Sequence, residues 1–319
     1  MRILNIVQKI LVLLSISELL LACNVSSTTP SPGLTYVTSR GNPRAQSVSW
    51  SPTDSTKILV NASNVAEHNT QVYLLDILTR KKKFLVDSDS GAAGGDWLAN
   101  GNQIALSVES AEGFPQAGLW IVNTKDNSIE LFSEREGAVT GLPDGNTLAL
   151  LTKDFNPPRV SIYLINIQTK ESNLIYSNPK AITSTGFSLS PDGRYLVFAL
   201  DFGNTNTIND LYVLDLQDRT VRQLTQDGAS SSPRWSPIGD LIAYVKSSRV
   251  NNKARHSLHL VHQDGTCDVE VPNLDYAFSP TWSPDGRKIA FLSEDGIYVL
   301  DIDKVLGRDI YKNLCQLSK

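Results

Sequence analysis

The sequence predicts an all-β fold: a six-bladed β-propeller of four-stranded antiparallel blades. Three observations predict it. A hairpin-forming segment recurs six times at a period of about 46 residues, the mark of one blade per repeat. Every copy is followed by a further apolar strand. A lone strand precedes the first copy, and the last copy lacks its counterpart.

The clearest copy is Pro280 to Ile302 (PTWSPDGRKIAFLSEDGIYVLDI). Thr281-Trp282 enters as a strand, and Ser283-Pro284-Asp285-Gly286 makes a tight turn. Proline presets φ at the first corner, aspartate bonds its own backbone, and glycine takes the positive-φ position. Lys288 to Leu292 and Ile297 to Ile302 then read as strands by their apolar–polar alternation and β-branched content. The same turn position falls at residues 52, 99, 143, 191, 237 and 284, with gaps of 47, 44, 48, 46 and 47. Each copy also carries the later strand, from Val72–Leu75 in the first to Leu211–Leu214 in the fourth and Ile297–Leu300 in the last.

These residues resemble the TolB-type propeller repeat, a relative of WD repeats, whose pattern runs W-S-P-D-G, I-A-F, I-Y-V-x-D and a short strand ending L-T. Gln223-Leu224-Thr225 supplies that ending here. The resemblance covers roughly residues 34 to 302 and implies the fold. It is weak for function, because one fold hosts many activities. TolB carries an α/β domain before its propeller, whereas this sequence enters the repeat after a short tether, so contacts made through that domain are not carried over.

In chain order, residues 1–22 read as a bacterial lipoprotein signal peptide. Arg2 and Lys9 supply positive charge, and Ile10–Leu14 and Leu19–Leu21 an apolar segment too short to span a bilayer as a stable helix. Leu20-Leu21-Ala22-Cys23 resembles the lipobox, which implies lipidation of Cys23 and anchoring on the extracytoplasmic side of the membrane. In a cell with two membranes, Asn24 favours the outer one. Residues 23–33 form a polar tether without periodicity. Leu34–Thr38 resembles the last strand of a blade and is expected to close blade six, tying the two ends of the ring together. Residues 303–319 lie outside the repeat, and either a rim strand or a short helix would suit them.

Within each blade, the residue before the Trp position is polar: Ser49, Asp96, Thr140, Ser188, Arg234 and Thr281. Two residues earlier it is small: Ser47, Gly94, Ala138, Gly186, Ser232 and Ser279. Tryptophan packing between blades, with small residues admitting the neighbour, accounts for most of this pattern. The functional reading places Asp96 and Arg234 at the channel mouth, in contact with a ligand. The connections between the second and third strands are expected to be long loops in blades one to five, at Asn61–Gln71, Glu109–Gly118, Lys153–Ser161, Asp201–Asp210 and Lys246–Ser257. Long loops on a rigid scaffold are where binding resides. Phe114, Phe155 and Phe202 in these loops would either anchor a partner or fold back on a blade rim.

The net charge of −4 and the lack of a basic patch with interleaved aromatics speak against nucleic acid. The run Arg80–Lys83 reads as a solvated hairpin tip. Besides Cys23, Cys267 and Cys315 are a candidate disulfide pinning the tail, or two separate thiols. His256 and His262 share a strand face that His259 does not, so these histidines predict no metal site. His68 stands alone, and neither G-x-S-x-G nor a phosphate loop occurs, so no cofactor is expected. The expected role is a monomeric, lipid-anchored interaction module with an envelope protein partner. The alternative is a carbohydrate- or small-molecule-binding protein or enzyme at the channel mouth, using Asp96 with Arg234, or Asp201 with Asp210.

Overall fold

The computed structural model describes residues 33–39, 44–64, 69–88, 92–108, 116–203, 209–307 and 309–317. The signal peptide, Cys23 and the tether up to residue 32 lie outside them, as do His68 and Phe114. No helix among the described residues is long and apolar enough to cross a membrane.

Among the described residues, twenty-four strands form six four-stranded antiparallel sheets. Blade one is β2 (Arg44–Trp50), β3 (Lys57–Asn64), β4 (Asn69–Asp76) and β5 (Lys82–Ser88). Blade two is β6 (Ala92–Trp97), β7 (Gln103–Val108), β8 (Gly118–Asn123) and β9 (Ile129–Ser133). Blade three runs from β10 (Ala138–Gly141) through β11 (Thr147–Phe155) and β12 (Pro158–Asn166) to β13 (Ser172–Asn178). Blade four holds β14 (Phe187–Leu189), β15 (Tyr195–Leu200), β16 (Asp210–Asp215) and β17 (Val221–Gln223). Blade five holds β18 (Ser230–Trp235), β19 (Leu241–Val250), β20 (Lys253–His262) and β21 (Val269–Glu270). Blade six is β22 (Phe278–Trp282), β23 (Lys288–Leu292), β24 (Gly296–Asp301) and the N-terminal β1 (Leu34–Ser39).

The turn chemistry works as its residues dictate. Ser283 Oγ donates to Asp285 Oδ1 at 2.6 Å and accepts the Lys288 N–H at 2.9 Å, while Gly286 sits at φ +66°. Ser190 and Asp192 repeat the arrangement in blade four. Middle strands are apolar along their length because neighbouring blades cover both faces. Tyr73, Tyr244, Phe198 and Phe291 are fully buried between blades.

β1 pairs with β24 from Leu34↔Leu300 to Ser39↔Gly296, with a bulge between Tyr36 and Thr38. Val37, at that bulge, is 2% exposed and packs with Ile297, Val299, Val48 and Trp50 at the junction of blades six and one. The tail takes the helical alternative. Two short helices, α1 (Ile302–Val305) and α2 (Ile310–Leu317), follow β24. α2 buries Ile310 and Leu314 against blades five and six, and the Tyr311 hydroxyl bonds Ser236 Oγ at 2.5 Å and Gly286 O at 2.9 Å. A disulfide joins Cys267 to Cys315.

Two expectations about local structure are corrected. Lys153–Ser161 and Lys246–Ser257 are not loops: β11–β12 and β19–β20 pair continuously to Phe155↔Pro158 and Val250↔Lys253. In the second hairpin Asn251 and Asn252 both take positive φ (+50° and +63°), the left-handed pair that a tight two-residue hairpin turn demands. The second expectation, on the small-residue column, is narrowed: three of the six positions have a backbone cause, while at Gly186 the next blade's Ser232 Cα would stand 3.5 Å from an added Cβ. Gly94, Ser232 and Ser279 stand at positive φ beside bulges in β6, β18 and β22, so backbone conformation, more than the neighbouring blade's bulk, selects small residues there.

Candidate functional site at the channel mouth

The innermost strands β2, β6, β10, β14, β18 and β22 surround the axis. Their polar column stitches blade to blade. Thr281 Oγ1 accepts the Trp50 N–H at 2.9 Å, and Ser188 Oγ accepts the Trp235 N–H at 3.0 Å. The indole of Trp97 donates to Ser49 O at 3.1 Å, and that of Trp282 to Arg234 O at 3.0 Å. Each bond joins adjacent blades, so most of the column is scaffold.

Asp96 and Arg234 do more. They come from blades two and five, opposite one another in a six-membered ring. Arg234 Nη1 lies 3.5 Å from Asp96 Oδ2, so an ion pair spans the axis. Their side chains are 14% and 25% exposed, which screens the pair less than a surface one. Both are oriented by further bonds. Asp96 Oδ1 accepts the Ser49 hydroxyl and, at 2.8 Å, its neighbour's N–H from Trp97. Arg234 Nη1 donates to Phe187 O at 3.0 Å.

Above this bridge lies a cavity of about 490 Å³, with walls from blades one to five. Ser47, Gly94, Gly95, Ser107, Ala138, Ser184 and Gly186 keep it wide, and Lys153 and Glu136 bring both signs of charge to its wall. It opens on the face that carries the connections between second and third strands. One wall group, and one group bonded to the back of the wall, are under-satisfied. Ser184 Oγ is buried without a hydrogen-bond partner among the described residues. Asn61 donates to Ser47 Oγ at 3.0 Å and Gly95 O at 3.2 Å, while its buried Oδ1 has no partner among the described residues. A buried polar atom left unpaired costs about 1–3 kcal/mol, which a ligand supplying a donor would relieve.

Other sequence candidates are not brought to this cavity. Phe202 is half-buried and packs edge-on to Tyr212 with ring centroids 6.2 Å apart, so it folds back onto blade four. Phe155 ends β11, and its side chain is outside the described set. Asp201 accepts the Gly203 N–H at 2.7 Å, and Asp210 accepts from Thr225 Oγ1 and the Gly228 N–H. These two carboxylates serve loop and strand ends and do not line the cavity. The Arg80–Lys83 run is partly engaged: Lys83 Nζ reaches Thr124 O at 2.6 Å and Lys82 stands 4.5 Å over the Tyr73 ring.

A constellation that sequence reading missed lies in blade five. His259 Nδ1 is 2.9 Å from Asp268 Oδ1, and its Nε2 is 3.2 Å from Ser257 Oγ. The order resembles a catalytic triad, but Ser257 is 2% exposed and outside the cavity. Tyr244 donates to the same Asp268 at 2.9 Å, and burial together with that carboxylate drives its phenol pKa far up. This is a polar network holding β19, β20 and the strand connection together. The i, i+2 spacing of Ser257 and His259 was a usable signal; the contact with Asp268 was not.

No protein-family model matches the chain. It is 24% identical over 218 residues to the Tol-Pal system protein TolB of Francisella tularensis subsp. mediasiatica, covering 67% of this chain and 49% of that protein. The chain thus spans about half the length of the curated relatives it matches. The crystal structure of TolB from Acinetobacter baumannii superposes with a TM-score of 0.58 at 16% identity, over 81% of this chain and 63% of that one. A gluconolactonase from Xanthomonas campestris gives 0.61 at 10% identity, over 85% and 89%. Such low identities to solved structures speak for the fold alone. With recurring turns that vary on W-S-P-D-G, six four-stranded blades and the sequence similarity to TolB, the chain is a six-bladed β-propeller similar to the propeller of TolB.

Proposed function

We propose that this propeller is an interaction module of the bacterial cell envelope, held to the membrane by lipid on Cys23, which seats a segment of a partner protein in the channel mouth above the Asp96–Arg234 bridge. The single observation that carries the reading is the cavity itself: about 490 Å³, closed below by an oriented ion pair and with the unpaired, buried Ser184 hydroxyl in its wall. Walls of mixed charge suit a peptide, one of whose N–H groups would reach Ser184 Oγ. The similarity to proteins named for the Tol-Pal system supports an envelope partner. The lipobox and the polar tether support a position on the extracytoplasmic side of the membrane, facing the periplasm from the outer membrane in a two-membrane cell.

The test is site-specific photo-crosslinking in the protein's own cells, with the probe at Lys153 beside the cavity or at Leu78, which is exposed on blade one. Mass spectrometry identifies what is captured. One envelope protein crosslinked from position 153, absent from position 78, and reduced by Arg234→Met is the expected result. Equal capture from both positions, or capture from neither, overturns it.

A further inference from the structure

We propose that the disulfide clasp of the tail doubles as a redox-controlled transition-metal site: when Cys267–Cys315 is reduced, the two thiolates and His262 bind zinc. The site lies on the face of the ring opposite the channel cavity, and the inference does not depend on the proposed docking function.

Three ligand atoms, one each from His262, Cys267 and Cys315, lie within 4.8 Å of one another. The turn that follows β20 builds this cluster. His262 donates its N–H to Thr266 O at 3.0 Å and accepts the Gly265 N–H at 2.8 Å, so the chain doubles back and sets Cys267 beside the imidazole. His262 Nδ1 is 3.2 Å from Asp240 Oδ2. A carboxylate on one imidazole nitrogen selects the tautomer that offers the other nitrogen to a metal, the usual outer partner of a zinc-bound histidine. Two sulfurs, one nitrogen and a water or carboxylate oxygen complete a tetrahedral zinc set.

The thiols stay together after reduction because the disulfide is not what seats the helix. α2 buries Ile310 and Leu314, and Tyr311 bonds Ser236 and Gly286. Zinc–sulfur bonds of about 2.3 Å ask for sulfurs roughly 3.8 Å apart, a shift two free side chains can make by small χ rotations. The redox step balances with a dithiol reductant. Its thiolate attacks one sulfur of the bridge and forms a mixed disulfide. Its second thiol then resolves that bond, leaving two cysteine thiols and an oxidised reductant, with two electrons and two protons transferred. Zinc binding then releases the thiol protons.

The experiment uses the full chain with Cys23→Ser, so that only Cys267 and Cys315 can titrate as thiols, and zinc ion as the probe. The expected result is one equivalent of zinc bound by the reduced protein and none by the oxidised. Asp240→Asn should weaken the reduced form about 10- to 100-fold, and His262→Gln at least as much. Near-ultraviolet dichroism of Trp282 and Tyr311, whose rings lie 6.3 Å apart, follows whether the helix stays docked on reduction. Zinc uptake that is independent of redox state, uptake unchanged in His262→Gln, no uptake by the reduced protein, or undocking of α2 on reduction would each overturn the proposal.

Discussion

The closure of the ring is the feature most open to a quantitative challenge. Val37 is the residue of β1 buried at the junction of blades six and one, and its neighbour Tyr36 is 41% exposed. Val37→Ala removes two buried methyl groups at about 0.8 kcal/mol each, or about 1.6 kcal/mol of transfer free energy. The residual cavity raises the cost to about 2–3 kcal/mol, because Ile297, Val299 and Trp50 lie in strands that cannot collapse inward. For a domain of this size, 1 kcal/mol moves the midpoint by roughly 2 °C, so thermal unfolding should shift down by about 4–6 °C. Tyr36→Ala is the control. It loses one edge contact with Tyr298, at 5.3 Å between centroids, and should cost less than half as much. Differential scanning calorimetry reads both. If Val37→Ala melts with the parent, or Tyr36→Ala costs as much, then β1 lies on the ring without sealing it and the closure argument fails.

Other outcomes follow from single contacts. Leu314→Ala empties a fully buried site under α2 and should cost about 2–5 kcal/mol by urea unfolding; an unchanged midpoint would mean the helix is not part of the fold's core. Gly137→Ala places a Cβ 2.1 Å from Leu151 O at φ +152°, so it should destabilise blade three measurably even though it adds one methyl, and a neutral result would contradict this strand geometry. Burial holds the His256 pKa below its ordinary 6.5, its ring resting 4.5 Å from Phe278 and its Nδ1 3.0 Å from Ser247 Oγ. The unfolded chain therefore binds this proton first as pH falls, so stability is full above pH 6.5 and declines from there through the lower folded value. His256→Gln should flatten that limb of the stability–pH curve, and a curve of the same slope would reassign the effect. Below about pH 4 a second loss is expected. Burial raises the Asp227 pKa, but the Lys246 ammonium, the Ala229 N–H and the Ser230 hydroxyl outweigh it and hold it below 3.8, so its contribution is present above that value and lost beneath it. Asp227→Asn should reduce this loss.

The sequence by itself determined what is local. Ser-Pro-Asp-Gly specifies a turn through its own side-chain bonds, and its repetition at a fixed period sets the number of blades. The missing fourth strand of the last repeat and the orphan Leu34–Thr38 were legible together, because β-pairing leaves a detectable remainder when a ring is cut between third and fourth strands. The extended hairpins were less legible: Asn251-Asn252 signals the turn, but polar positions such as Lys246 to Arg249 read as loop until the partner strand is known. Only the tertiary structure decided the site. Asp96 and Arg234 meet across the axis because ring diameter and side-chain length match, and no local pattern encodes a distance between opposite blades. His259 finds Asp268 in the same way, and the tail becomes a helix because blades five and six present an apolar seam that Ile310 and Leu314 can cover. Turn chemistry acts over four residues and can be read in one dimension; charge pairing and burial depend on which surfaces the closed ring brings face to face.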